Sequence, residues 1–296
     1  MEPLINKKLD INLKTIIFAT DFSLCSQNAG LYSALLAKHF SAKLLVAHAF
    51  TLSQAAMEAE IDHSLVSRQR EDLLSMLSRK AHSLAEGSIQ ASPALVEGAP
   101  EEAVPALAEA NAPSMIVLGT HGGGWIEREF IGSVAEKILR STRCPCLTVG
   151  PKVRPLTAAT LPFRRVLYAT DFTSAAAHTA AYAVSFTRAF GANIDVAHLV
   201  RDEEEDDPKQ LERLSEKFYK EIADAVPYDP AQFCRLTTLA EGGNPHRQIL
   251  HYIDQHEIDL LVLGVEKTSQ LGFLMRASGG FSLILDATCP VLTLTG

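Results

Sequence analysis

Short apolar runs alternate along the chain with longer stretches in which apolar residues recur every three or four positions. Runs of β type fall at 15–19, 43–49, 92–97, 115–119 and 146–149. Between them, residues 26–40, 62–86, 100–111 and 133–141 carry the helical period. In 26–40, Ala29, Tyr32, Ser33, Leu36 and Phe40 fall on one helical face, the face expected to pack on a core. The run at 115–119 is apolar throughout, as in a strand covered on both sides. Strand–helix alternation of this kind predicts right-handed crossovers and a mostly parallel sheet.

The pattern then repeats. "TIIFATDFSLCSQNAGLYSALLAKHFSAKLLVAHAF" at 15–50 aligns without a gap with "RVLYATDFTSAAAHTAAYAVSFTRAFGANIDVAHLV" at 165–200. Further on, "MIVLG" at 115–119 faces "LLVLG" at 260–264, and "CPCLTV" at 144–149 faces "CPVLTL" at 289–294. This is a duplicated domain of ordinary size. The second copy predicts strands near 165–169, 193–199, 233–239, 260–264 and 291–295. The stretch "GPKVRPLTAATLPF" at 150–163 has three prolines and no periodicity and reads as a connection. The expected organisation is a domain at 1–150, a linker at 151–163 and a second domain at 164–296.

Composition narrows the function classes. The 296 residues are 47% hydrophobic and 21% charged, enough apolar material for a real core. A net charge of −8 argues against bulk binding to nucleic acid or anionic membrane. No apolar run approaches the roughly 18 residues of a membrane span, and the N-terminus lacks the apolar core of a signal peptide. Five cysteines without framework spacing fit a reducing, cytoplasmic setting.

The candidate chemistry lies at "GTHGGGWIEREFIGS", residues 119–133. In open α/β sheets, ligands bind beyond the carboxyl ends of the strands where strand order reverses. This loop leaves the fourth strand, and Asp21 leaves the first. Glycines let a ligand approach the backbone, and consecutive amides form anion-binding nests. Ser133 opens the next helix, either as its N-cap or as a hydroxyl donor to phosphate. Asp21 suits a ribose hydroxyl or a divalent metal riding on phosphates. The plain alternatives are a flexible glycine turn and an aspartate that caps a turn.

The spacing Gly119, two residues, Gly122, nine residues, Gly132-Ser133 resembles the ATP-binding motif of the universal stress protein family, G-2x-G-9x-G-[ST]. "FATDFS", "VAHAF", "VLGTHG" and "CPCLTV" resemble that family as well, and both copies do so over nearly their full length. The resemblance implies two Rossmann-like α/β domains, each a five-stranded parallel sheet of order 3-2-1-4-5 with helices on both faces. It implies ATP, often with Mg²⁺, in the first copy. Adenine is then expected near His48 and Ala49, and ribose near Asp21 and Gly119; Ala19 and Thr20, beside Asp21, are counted among the ATP-binding residues. Phosphates are expected at Gly122, Gly132, Ser133 and Val134, with Asp21 the one candidate metal contact; His121, inside the loop, is a further candidate phosphate contact by its position. It also implies pairing of the two fifth strands, 146–149 and 291–295, as an intrachain pseudo-dimer, and allows a homodimer.

The second copy departs from the motif. Gly264 is kept, but Lys267 stands at the place of Gly122 and Ala277 at that of Gly132; Ser278 keeps the serine. With Asp171 these form a weaker second candidate site, and the acidic "DEEEDD" at 202–207 would repel polyphosphate. His48 and His198 end the second strands and read first as rim residues. Cys144-Pro145-Cys146 reads as a small apolar strand start rather than a metal site. Trp125 reads as a loop anchor. The leading function is an ATP-binding regulatory protein. A slow ATPase or phosphotransferase using Glu127, Arg128 or Glu129 is the alternative, as is a nucleotide-free interaction module.

Overall fold

The computed structural model describes residues 10–23, 25–51, 63–85, 87–120, 132–156, 161, 163–170, 176–199, 212–213, 216, 220, 234–239, 245–265 and 282–295. The first half runs β1 (Thr15–Ala19), α1 (Cys25–Phe40), β2 (Lys43–Phe50), α2 (His63–Leu84), β3 (Ala91–Glu97), α3 (Pro100–Ala110), β4 (Ser114–Gly119), α4 (Ser133–Ser141) and β5 (Cys146–Val149). The second half runs β6 (Arg165–Thr170), α5 (Ala176–Ala189), β7 (Asn193–Leu199), β8 (Cys234–Leu239), α6 (Pro245–Gln255), β9 (Leu260–Val265), α7 (Ser282–Asp286) and β10 (Val291–Thr295). No helix among the described residues is long and apolar enough to cross a membrane.

The strands form one ten-stranded sheet in the order β3-β2-β1-β4-β5-β10-β9-β6-β7-β8. Each half therefore has the order 3-2-1-4-5, parallel throughout, as the first register Ile16↔Leu44 and Ile16↔Met115 illustrates. The halves meet edge to edge where β5 and β10 run antiparallel. Leu147 pairs with Leu292, its own counterpart in the repeat, so a pseudo-twofold axis passes through that pair. Buried Thr148 donates its hydroxyl to the Val291 carbonyl at 3.0 Å, and its counterpart Thr293 donates to the Cys146 carbonyl at 3.1 Å. Both polar side chains are thereby satisfied inside the sheet.

Alternation along the strands sends side chains to two faces, each with a core that spans both halves. Ile16, Phe18, Val46, Val166, Tyr168 and Val196 belong to one. Ile17, Ala47, Ile116, Leu167, Ala197 and Leu261 belong to the other. On the first face α1 meets the second half through rings. Phe163 lies 6.1 Å from Tyr32 and 5.0 Å from Phe190, and Phe40 lies 5.6 Å from Phe190. The connection between halves is docked as well: Val153 and Phe163 are buried in that core.

On the other face, α3 and α4 pack side by side and wall one end of the sheet. Pro105 inside α3 cannot donate to the Glu101 carbonyl four residues back. That carbonyl instead accepts the Ser141 hydroxyl of α4 at 3.1 Å. Lys137 of α4 adds an ion pair to Glu101 at 2.7 Å.

Candidate functional site

The carboxyl ends of β1, β2 and β4 open into a cleft of about 240 Å³, closed on one side by α3 and α4. From β1 it takes Ala19, Thr20 and Asp21; from β2, Ala47, His48 and Ala49. From β4 and the residue after it come Leu118, Gly119 and Thr120; from the start of α4, Gly132, Ser133, Val134 and Ala135. Nine of the positions proposed from sequence thus share one cleft. His121 and Gly122 lie outside the described residues, as do Trp125, Glu127, Arg128 and Glu129.

The turn after β1 is held by its own polar groups. The Thr20 amide donates to the Ala47 carbonyl at 2.9 Å, tying β1 to β2 at the rim. The Ser26 hydroxyl donates to the Ser23 carbonyl at 2.8 Å, so the Thr20 hydroxyl, 3.0 Å away, donates to Ser26. Thr20 Oγ1 in turn accepts the Phe22 amide at 3.0 Å. The Thr20 side chain is therefore spent inside the turn, and the residue meets the cleft without a free hydroxyl. Asp21 Oδ1 accepts the Ser23 amide at 3.0 Å, and the residue is exposed at the cleft. Phe22 is held at φ 63, a left-handed conformation that an aromatic residue adopts only under constraint. Its ring packs 4.9 Å from His48.

His48 has an assigned hydrogen bond. A carbonyl only accepts, so Nδ1–H donates to the Thr20 carbonyl at 2.8 Å. The neutral ring then carries its lone pair on Nε2. This matches the reading of His48 as a satisfied rim residue.

At α4 the structure corrects one detail. Gly132, not Ser133, is the N-cap, with φ −59 and ψ 137; Ser133 is the first helical residue. The Gly132 amide donates to the Thr120 carbonyl at 2.7 Å, and its own carbonyl accepts the Glu136 amide at 3.0 Å. A glycine cap has no side chain to offer, so no side-chain bond satisfies the first amides of α4. They and the positive end of the helix dipole face the cleft. The torsions at Gly132 are open to any residue.

The rest of the lining is apolar. Ala47, Val104, Leu118 and Ile138 are buried residues of the core on that face. Sequence inspection missed Ser26, Pro100, Val104 and Ile138 because they belong to no motif. For Pro100, Val104 and Ile138 the pairing of α3 with α4 was the only signal.

In the second copy, Asp171, Lys267 and Ser278 lie outside the described residues, as does the acidic stretch at 202–207. Gly264 has a packing reason of its own. A Cβ there would stand 2.7 Å from Cγ2 of Thr179 on α5. Among the described residues no group of three or more metal-ligating side chains occurs. Cys144, Cys146 and Cys289 are free thiols. Burial pushes the Cys289 thiol up to about 12 and the Cys146 thiol higher still, so both stay protonated and inert.

The model of the universal stress protein family matches residues 12–150 and again 162–294. The chain belongs to the universal stress protein family. It contains two units of that family in tandem. A universal stress protein of Methanocaldococcus jannaschii is 29% identical over 138 residues, 46% of this chain and 81% of the relative. One from Thermus aquaticus is 28% identical over 137 residues, 46% of this chain and 98% of its own length. The crystal structure of a universal stress protein from Archaeoglobus fulgidus superposes with a TM-score of 0.68 at 20% identity. It covers 95% of this chain and 96% of its own, so the whole two-unit architecture is shared.

Proposed function

We propose that the first unit binds ATP in the cleft between β1, β4 and α4, and that the protein is a cytoplasmic regulator whose conformation or assembly responds to that nucleotide. One juxtaposition carries the reading. An apolar wall from Ala47, Val104, Leu118 and Ile138 stands beside an exposed carboxylate and an uncapped helix N-terminus. A nucleotide has the matching parts: a flat base, a hydroxylated sugar and anionic phosphates. The wall suits the base near His48 and Ala49. The exposed carboxylate of Asp21 suits a ribose hydroxyl, or Mg²⁺ carried on the phosphates. The amides of Ser133 and Val134 suit phosphate oxygens, with Gly119, Gly122 and His121 as the further contacts of the motif. Regulation then follows from a difference in ATP affinity between conformations, whichever conformations those are.

Titration of the full chain with ATP tests the reading, alongside Ala49→Trp, which fills the cleft from β2, and Gly122→Lys, which installs the second copy's residue. One ATP per chain is expected, with affinity falling at least tenfold in both variants while their melting temperatures stay close to the parent's. Absence of saturable ATP binding by the parent, or unchanged binding by Ala49→Trp, sinks the proposal.

A further inference from the structure

A second cavity, of about 410 Å³, lies at the opposite end of the strands, on the seam between the halves. Its floor is formed by the starts of β6 and β9 and by the residues leading into β10. Tyr32 of α1 enters from the first half, and Arg154 to Leu156 of the connection form one side. The ATP reading makes no use of it, and its size falls within the range of small-molecule pockets, roughly 300–1,000 Å³.

Tyr32 is the informative residue. It is 2% exposed, and its ring stacks against Phe163. Yet Tyr32 lines the cavity, and no hydrogen bond ties its hydroxyl to another described residue. A phenol that borders a cavity keeps its O–H available to a ligand held there. Burial, with Cys289 and Asp259 close by, holds the phenol well above its ordinary pKa. It therefore remains an O–H donor at any physiological pH and asks for an acceptor.

The charges around it sort into spent and unspent. Arg165 pairs with Asp195 at 3.0 Å. Asp259 Oδ2 accepts the amides of Arg164 and Arg165 at 2.9 and 3.0 Å, which fixes the entry to β6. Arg154 and Arg164 line the cavity with exposed side chains and no ion pair among the described residues. Against these two guanidinium groups stands one exposed carboxylate, Glu257. Guanidinium forks match the paired oxygens of phosphate and carboxylate.

We infer that this seam cavity binds a small oxyanion, the phosphate or carboxylate group of a metabolite, through Arg154, Arg164 and the Tyr32 hydroxyl. Tyr32 comes from one half, Arg164 from the other and Arg154 from the connection. A ligand held by all three stabilises the docked arrangement of the halves by mass action.

Titration calorimetry on the full chain with inorganic phosphate and, separately, with succinate tests this, each with and without saturating ATP. One anion per chain is expected, still bound when ATP is present. Whichever probe binds tighter identifies the headgroup. Affinity should fall at least tenfold in Arg154→Gln/Arg164→Gln and severalfold in Tyr32→Phe, a change that removes only the donor. Three results would overturn the inference: no saturable binding of either probe, binding indifferent to all these substitutions, or binding abolished by ATP and untouched by the arginine changes. The last would assign the anion to the first cleft. Because the readout does not depend on ATP being bound, failure here leaves the nucleotide reading standing, and the converse.

Discussion

The wall behind the first cleft and the same positions in the second half are built alike. Ala47, Val104, Leu118 and Ile138 have as counterparts Ala197, Ile249, Leu263 and Leu283, and all eight are buried in one continuous core. The polar side differs in sequence: Gly122 and Gly132 stand against Lys267 and Ala277. The wall is kept in both halves because it is also core, and losing it would cost folding itself. On the ATP reading proposed above, the glycine pattern serves the ligand, so a half without a ligand is free to lose it. At the amino end of the strands the difference runs the other way. Leu45 is an ordinary core residue, whereas its counterpart Asp195 is a buried carboxylate held by Arg165 and by the Tyr252 hydroxyl at 3.2 Å. The halves have thus kept the scaffold, and at its amino end the second half carries a buried polar trio where the first half is apolar.

That contrast requires the halves to fold as one body, and the seam is where it is most vulnerable. A Cβ on Gly150 would stand 2.5 Å from the Ile284 carbonyl oxygen. The obstacle is backbone and cannot rotate away. Gly150→Ala is expected to cost about 3 kcal/mol, near the upper end for overpacking. The cost should appear in denaturant melts as a lower midpoint, with the two halves losing their common transition. An unchanged midpoint would mean that the halves are held less closely than Gly150 indicates.

The buried trio of the second half gives the next largest effect. Asp195→Asn leaves the Arg165 guanidinium without its charge partner. Breaking a buried pair costs about 3–5 kcal/mol. Arg165 is 37% exposed, so water recovers part of this and about 2 kcal/mol is expected. Asp195→Leu with Arg165→Thr and Tyr252→Leu copies the first half's Leu45, Thr15 and Leu107 into the second. It should recover at least half of that loss, because no charge is then left unpaired. Equal instability of single and triple variants would show that the trio does more than satisfy itself.

The division between what the sequence disclosed and what it hid follows these energies. The strands at 15–19, 146–149, 193–199 and 291–295 are read to the residue, because short apolar runs between turn residues have few alternatives. The cleft's polar members were legible because glycine spacing and strand ends are one-dimensional signals. Its apolar wall was not, since Val104 and Ile138 differ from other helix-face residues only by what stands opposite. Asp195 is a single polar residue within the strand at 193–199, and its partners are 30 and 57 positions away. Tyr32 was legible as a core-facing helix residue, but the fate of its hydroxyl depends on the other half. Gly132 as cap was hidden by the serine beside it, a commoner capping residue.

The smallest effect compares the exits of the two first helices. After α1 the chain turns at Ser41 with φ 52, and after α5 at Gly191 with φ 60. The backbone closes the same way in both: the amide of Ala42 reaches the Ala37 carbonyl at 2.8 Å, and that of Ala192 reaches the Thr187 carbonyl at 2.9 Å. A side chain in this left-handed conformation costs about 1–2 kcal/mol, and glycine avoids it. Glycine also gives the unfolded chain more freedom, which takes back about 0.4–1 kcal/mol. Ser41→Gly is therefore expected to stabilise the protein by about 0.5–1 kcal/mol, and Gly191→Ser to destabilise it by a similar amount. Opposite shifts in the denaturation midpoints of the two variants would confirm that the halves share one helix exit and differ only in how well each residue fits it. Shifts of the same sign would mean that Ser41 earns its place through a contact that the repeat does not share.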